Sequence, residues 1–257
     1  MTRTLFISDL HLGEDQPDTL AAFEAFIAGP ARGAAALYVL GDLFEYWAGD
    51  DDLDSAFPAR VCEQLHTLSA HGTRIFFIAG NRDFLAGEAF AARAGLTLLA
   101  DPFLIELDGC RVLLSHGDAL CTDDTAYQAF RAQVREPAWQ MAFLARPLAE
   151  RKAIIAGIRK QSVEAKREKA EDIMDVNPSA VEALLRAHGR PLFIHGHTHR
   201  PARHLHIVDG EPCERWVLAD WDDSARYLEW DGKGLHARRD RPSPDHSTPQ
   251  QAAPGAA

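Results

Sequence analysis

Short apolar runs and helically spaced apolar positions alternate through the first third of the chain. Leu5-Phe6-Ile7, Leu37-Tyr38-Val39-Leu40 and Ile75-Phe76-Phe77-Ile78 are rich in aromatic and β-branched side chains, the pattern of strands buried on both faces. Residues 18–28 place Leu20, Phe23, Phe26 and Ile27 at helical spacing, and residues 57–70 do the same with Val61, Leu65 and Leu68. This βαβα order predicts a sheet with parallel strands covered by helices. From Thr97 the runs come closer together. Residues 103–107 and 112–115 read as strands joined through Asp108-Gly109, a dipeptide suited to a hairpin, so a second sheet or a mixed continuation of the first is expected.

Residues 127–187 read differently. Tyr127, Phe130, Val134, Met141 and Leu144 keep a helical period, Pro137 and Pro147 punctuate it, and Ile154, Ile155 and Ile158 open a helix that becomes strongly charged at Lys166-Arg167-Glu168-Lys169. Strands resume at 192–194, 205–208, 216–218 and 227–230. The expected organisation is an α/β body of residues 1–120 and 190–238, a helical insertion at 121–189, and a disordered tail of Pro, Ser, Gln and Ala at 239–257.

Composition narrows the function classes. At 257 residues, 46% hydrophobic and 25% charged, the chain suits one large domain with an elaborate insertion. No apolar run approaches the roughly 18–20 residues needed to cross a bilayer. The opening Met-Thr-Arg-Thr passes straight into a strand-like run, so neither a transmembrane protein nor one with an uncleaved signal is expected. A formal net charge of -11 disfavours a nucleic-acid binder held by its overall field. That charge is uneven: residues 127–170 hold ten Lys or Arg against four Glu, an excess of six positive charges that leaves -17 for the remainder. A basic helical cap beside an acidic body points to an anionic ligand beneath the cap, with a solvated helix face as the plainer alternative. Cys62, Cys110, Cys121 and Cys213 form no Cys-x-x-Cys pair, as expected of reduced thiols in a cytoplasm.

Five polar clusters follow predicted strands, where open α/β sheets place ligands. They are Asp9-Leu10-His11, Gly41-Asp42-Leu43-Phe44-Glu45, Gly80-Asn81-Arg82-Asp83, His116-Gly117-Asp118 and Gly196-His197-Thr198-His199. Singly each is weak, because a lone His at a strand end is usually structural and Gly-Asp is a common turn. Together they offer carboxylates, an amide oxygen and imidazoles with no thiolate among them. That donor set suits a pair of divalent ions of the manganese or iron type, with zinc as an alternative. Gly41, Gly80 and Gly196 permit the tight turns and close backbone approach such a centre needs.

In content and order these clusters, from Asp9 to His199, resemble the signature of the calcineurin-like metallophosphoesterases. The resemblance implies an α/β fold, an αββα sandwich of two mixed sheets with, here, a helical lid insertion. It also implies that Asp9, His11 and His199 hold one metal, that Asn81, His116 and His197 hold the other, and that Asp42 bridges both. Two ions held about 3.5–4 Å apart can activate water and clamp a phosphoryl group, so phosphoester or phosphoanhydride hydrolysis is expected, with Asp42, Asn81, Arg82 and His116 as the catalytic set. His195, just outside the last motif, reads as structural. One position departs from the family pattern: Arg82 stands where a His usually follows Gly-Asn. Arginine supplies fixed charge and bidentate phosphate contact but no acid at neutral pH, which favours an anhydride or another good leaving group over an alkyl ester.

The wider runs Gly41-Asp42-Leu43-Phe44-Glu45-Tyr46-Trp47-Ala48-Gly49-Asp50-Asp51, Gly80-Asn81-Arg82-Asp83-Phe84 and His195-Gly196-His197-Thr198-His199-Arg200-Pro201 resemble one branch of that family. This branch hydrolyses UDP-2,3-diacylglucosamine in bacterial lipid A synthesis. The resemblance implies two Mn2+ per chain, attack of water on the α-phosphorus, and a peripheral position on the cytoplasmic face of the inner membrane. Neither nucleic acid nor an obligate protein partner is expected. Asn81, Arg82 and His197 would contact the substrate phosphates, and Asp124, Ser162, Lys166 and Lys169 would line the nucleotide and glucosamine side. Acyl chains need an apolar trough, for which Trp47, Tyr127, Phe130, Trp139, Met141, Phe143, Leu144, Ile154 and Ile158 are candidates, although periodic apolar residues also simply dock helices. The basic insertion would also suit an anionic membrane surface. The rivals are a dimetal phosphodiesterase acting on a soluble nucleotide and a non-catalytic scaffold of the same fold.

Overall fold

Each of the first three strand runs is apolar on both faces, and both faces are covered. In the computed structural model, which describes residues 3–168 and 175–241 and the stretch 161–168 by its backbone alone, these runs are β1 (Thr4–Ile7), β2 (Ala36–Leu40) and β3 (Arg74–Ile78). They lie parallel with β4 (Thr97–Leu99), and β10 (Ala225–Trp230) and β11 (Leu235–Asp240) extend the sheet antiparallel beyond β1 in the order β11-β10-β1-β2-β3-β4. The second sheet has the order β5-β6-β7-β9-β8, from β5 (Phe103–Leu107), β6 (Cys110–Ser115), β7 (Leu192–His195), β8 (Ala202–Val208) and β9 (Glu211–Val217). Asp108 and Gly109 join β5 to β6 with φ of 49° and 82°, the left-handed pair that a two-residue hairpin requires.

Alternation within the strands sorts the core into layers. Phe6, Tyr38 and Ile78 of the first sheet meet Val112, Leu114 and Ile194 of the second, which is the seam between the sheets. Leu5, Ile7, Leu37, Val39 and Phe77 face the other way, onto α1 (Pro17–Ala28), α2 (Ala56–Ala70) and α3 (Glu88–Ala94). Leu113 and Phe193 face outward onto Val181 and Leu185 of α7 (Pro178–Ala187). The architecture is therefore an αββα sandwich of two mixed sheets. Between β6 and α7 lie α4 (Thr125–Arg135), α5 (Pro137–Leu144) and α6 (Leu148–Glu168), so α7, grouped with the insertion on sequence, is a layer of the sandwich.

At the other end of the chain, β11 carries Arg239 and Asp240 as strand residues where the sequence predicts the start of a tail. Arg238 reaches Glu229 at 3.1 Å and Arg239 reaches Ser224 at 2.9 Å, so this polar strand is held by pairing and charge rather than by apolar burial. Residues 242–257 of the expected tail lie outside those described. Among the described residues, no helix is long and apolar enough to cross a membrane.

Candidate active site

Each of the five clusters follows the carboxyl end of a parallel strand: β1, β2 and β3 in one sheet, β6 and β7 in the other. Close packing at these ends forces unusual backbone. Asp9, His11, Asp42, His197 and His199 have φ between 49° and 70°, five of the eight non-glycine residues with positive φ among those described. Such conformations cluster where the surrounding structure imposes a functional geometry. The glycines allow the same approach. A Cβ on Gly80 would stand 2.2 Å from Oδ1 of Asp42, and one on Gly196 would stand 2.4 Å from Oδ2 of Asp9.

The side chains converge in two overlapping groups, Asp9 with His11 and His199, and Asp9 with Asp42 and His116. Nε2 of His11 lies 3.2 Å from Nε2 of His199, and Oδ1 of Asp9 lies 3.3 Å from the same His199 nitrogen. The two oxygens of Asp42 divide: Oδ2 faces His11 Nε2 at 3.9 Å and Oδ1 faces His116 Nε2 at 3.7 Å. His116 Nδ1 donates to the carbonyl of Leu40 at 2.9 Å, which leaves Nε2 to face Asn81 Oδ1 at 3.0 Å. The His197 ring packs edge-on to His116 at 5.0 Å. All seven residues expected to hold metal are thus brought into one cleft.

Electrostatics favour a cation in that cleft. Burial pushes the His116 imidazole down, but Asp42, Asp118 and Asp9 outweigh it and hold the pKa at about 9. Burial, reinforced by the His116 charge, takes His197 down to about 3. Burial raises the Asp9 carboxyl, but His199 and His116 more than offset it and hold it below the usual carboxylate range. Oδ1 of Asp9 is nevertheless buried without an aligned hydrogen bond, its His199 neighbour at 3.3 Å being an ion-pair contact only, and a carboxylate oxygen so placed gains from a cation that meets it. Hard oxygen and nitrogen donors, a lone oxygen and converging imidazole nitrogens fit divalent metal ions.

Further carboxylates inside the motifs, given no role on sequence, brace the cleft. Asp83 is fully buried and accepts from the backbone N–H groups of Gly80 and Leu43, both at 2.8 Å, tying the second and third motifs together. Burial and the neighbouring Asp42 raise its carboxyl to about 6. Asp118 accepts from the Tyr127 hydroxyl at 2.7 Å and from Arg131 Nε at 2.8 Å, and the Tyr127 ring stacks on His197 at 5.9 Å. Glu45 faces Nδ1 of His11 at 3.1 Å. Membership of a quoted motif was the only signal these residues carried. His195 is fully buried and both ring nitrogens are engaged away from the expected ligands: Nδ1 donates to the Gly196 carbonyl at 2.9 Å, and Nη1 of Arg215 meets its Nε2 at 3.0 Å.

Beside the cleft, Asn81, Arg82 and Glu45 form one wall of a pocket of about 500 Å3, open mouth included. Arg159 of the insertion also lines it, and the rest of the lining is mainly apolar and includes Trp47, Phe130, Trp139, Phe143 and Ile158 of the nine trough candidates. Tyr127, Met141, Leu144 and Ile154 do not line it. Met141 is 68% exposed, and Ile154 packs against the main core. Of the expected substrate contacts on the insertion, Asp124 caps α4, accepting from the Tyr127 N–H at 3.0 Å. The side chains of Ser162 and Lys166, and the whole of Lys169, lie outside the described residues.

The insertion's positive charge has a use that the sequence did not show. Arg131 meets Asp118, Arg151 meets Asp51, Lys152 meets Asp52 at 2.7 Å and Arg159 meets Glu45 at 2.6 Å. Arg135 donates to the Gly80 carbonyl at 2.9 Å. These five cations bind the insertion to the acidic body, and Arg159 does so from the lining of the pocket.

Sequence comparison agrees with this architecture. The family model described as calcineurin-like phosphoesterase matches residues 2–201. The chain is 65% identical over 233 residues to UDP-2,3-diacylglucosamine hydrolase of Aromatoleum aromaticum, covering 90% of this chain and 94% of that one. It is 50% identical to the protein of the same name from Cellvibrio japonicus (91% and 98% covered) and 51% identical to that from Chromohalobacter salexigens (85% and 88% covered). The chain belongs to the calcineurin-like phosphoesterase family.

Proposed function

We propose that this chain is a hydrolase that cleaves the pyrophosphate of UDP-2,3-diacylglucosamine to UMP and 2,3-diacylglucosamine 1-phosphate, a step of lipid A synthesis. The observation that carries the reading is that one pocket has Asn81 and Arg82 on its polar wall, beside the carboxylate and imidazole cleft, and large apolar side chains elsewhere. A substrate with a pyrophosphate next to acyl chains needs that juxtaposition; a soluble nucleotide does not. The names of the similar proteins from the three bacteria above support the same substrate.

Asp9, His11 and His199 would hold one Mn2+, Asn81, His116 and His197 would hold the second, and Asp42 would serve both. When bound, such ions supply Lewis-acid activation of water and neutralise phosphoryl charge. The protein's own contribution is positional. Arg82 and Asn81 hold the pyrophosphate oxygens, and the fixed charge of Arg82 stabilises the departing phosphate without a proton. Water adds to the α-phosphorus, the bond from that phosphorus to the bridging oxygen breaks, and the sugar 1-phosphate leaves. His197 assists the phosphate contacts, while Asp124, Ser162, Lys166 and Lys169 serve the nucleotide and glucosamine side.

The helices α4 to α6 act as a lid over the acyl chains. The enzyme works as a peripheral protein on the cytoplasmic face of the inner membrane, where the exposed Met141 and Leu144 of α5 offer the apolar contact. Product analysis in ¹⁸O-labelled water tests the reading. Label in UMP, formed with Mn2+ and abolished by a chelator, is the expected result; no turnover of this substrate, alongside cleavage of a generic phosphodiester, would overturn it.

A further inference from the structure

We infer that Glu45 is a positioning residue through which the helical insertion sets the cation affinity of the Asp9, His11 and His199 group, an inference that rests on the function proposed above. Glu45 Oε2 faces Nδ1 of His11 at 3.1 Å, an ion-pair contact in which that buried nitrogen makes no aligned hydrogen bond, while the other ring nitrogen of His11 faces His199 at 3.2 Å and Asp42 at 3.9 Å. A neutral imidazole carries a single N–H. With a carboxylate at Nδ1 that proton resides there, and the Nε2 lone pair is directed into the cleft, the form in which the ring can ligate a metal. His11 also holds a left-handed backbone, φ 49°, so its ring is offered from a strained position and gains from an external restraint.

The second oxygen of Glu45 is engaged from the insertion. Oε1 accepts from Nη2 of Arg159 at 2.6 Å, and Nη1 of Arg82 stands 3.8 Å away. Arg159 is on α6, 114 residues distant in sequence, and its guanidinium lies over the Tyr46 ring at 5.6 Å. The carboxylate therefore faces His11 on the body with one oxygen and accepts from Arg159 on the insertion with the other. Removing Arg159 frees Glu45 to turn toward solvent through the pocket it lines, and His11 loses its restraint. His199 has a looser counterpart: its Nδ1 lies 3.5 Å from Asp220, and both side chains are more than a third exposed.

The test is a Mn2+ titration of the full, metal-free chain, with the free ion followed by electron paramagnetic resonance. Wild type should take up two equivalents. Glu45→Ala should weaken one of them by about 10–100-fold and leave the other unchanged, the usual cost of losing a histidine's outer partner. Arg159→Met should give a smaller loss at that same equivalent, and Arg159→Lys should restore most of it, because an ammonium still pins the carboxylate. Nitrogen NMR of His11 separates positioning from mere folding: Nδ1 should be the protonated nitrogen in wild type, and the two tautomers should mix in Glu45→Ala. If Glu45→Ala does not fold, the half-exposed Arg159→Met carries the test. Wild-type affinity for both equivalents in Arg159→Met and in any folded Glu45 variant would overturn the inference and leave the proposed function standing. No Mn2+ uptake by wild type would overturn both.

Discussion

The main-chain N–H of Arg82 donates to Oδ1 of Asp42 at 2.8 Å. The one residue that departs from the family pattern thus supports the shared carboxylate through a main-chain atom that every substitution except proline keeps, and its side chain is left for the pocket. Arg82→His should therefore keep both equivalents of metal while kcat/KM for UDP-2,3-diacylglucosamine falls about 100-fold, the scale of losing one preorganised charge contact in the transition state. Steady-state kinetics beside metal analysis check this. Unchanged kcat/KM would sink the leaving-group argument.

Asp42 and His195 should separate cleanly. Asp42→Ala removes the carboxylate whose two oxygens face His11 and His116, so activity should vanish almost completely. His195→Ala leaves every expected ligand in place and should lose far less activity. Equal losses in the two variants would show that the frame of the last motif is wrong.

The pH dependence of stability isolates His195 further. Burial, and then the Arg215 charge, lower its pKa from 6.5 to about 3. Between these values the unfolded chain takes up a proton that the folded chain refuses. Stability therefore falls as pH drops from 6.5 toward 3, by about 1.4 kcal/mol per pH unit from this group alone. Urea unfolding of the metal-free chain at neutral pH and at about pH 5 should give a smaller acid loss in His195→Gln than in wild type.

Gly80→Ala tests the close packing around Asp42. A Cβ there would stand 2.2 Å from Asp42 Oδ1 and 2.4 Å from its backbone nitrogen, neither of which can retreat without breaking the turn. Loss of at least one metal equivalent is expected, with about 1–3 kcal/mol of destabilisation from overpacking. Gly72→Ala is the control, since nothing lies within 4 Å of a Cβ there, although its φ of +98° still adds backbone strain. Metal content should distinguish the two even if both lose stability.

What the sequence made legible follows from burial. β1, β2 and β3 are apolar on both faces and show as unbroken runs, and five motifs after strands located the cleft. β11 was hidden because Leu235–Asp240 is mostly exposed and carries Arg238 and Arg239, so its place depends on pairing with β10 rather than on composition. The roles of Glu45, Asp83 and Asp118 were hidden for a different reason. Their partners, His11 and Arg159, the backbone of Gly80 and Leu43, and Arg131, are fixed by topology, and no local spacing encodes them. The insertion's charge was legible as a sum, but only the fold shows that body carboxylates answer it.

That pairing predicts which basic residues matter for holding the insertion in place. Arg151 is 1% exposed, donates from Nη1 to the Ala48 carbonyl at 2.6 Å and pairs with Asp51. Arg146, five residues earlier on the exposed surface, pairs within the insertion, with Glu150 at 2.6 Å. Truncating a buried guanidinium strands a buried carbonyl and opens a cavity, whereas an exposed pair one helical turn apart is screened by water. Arg151→Ala should therefore cost about 3 kcal/mol in urea unfolding and loosen α6 to hydrogen exchange. Arg146→Ala should cost under about 0.5 kcal/mol. Because α6 also carries Arg159, the Arg151 variant should weaken Mn2+ binding at the His11 equivalent while Arg146→Ala leaves it intact. Equal protection of α6 in both variants would show that these ion pairs do not hold the insertion to the body.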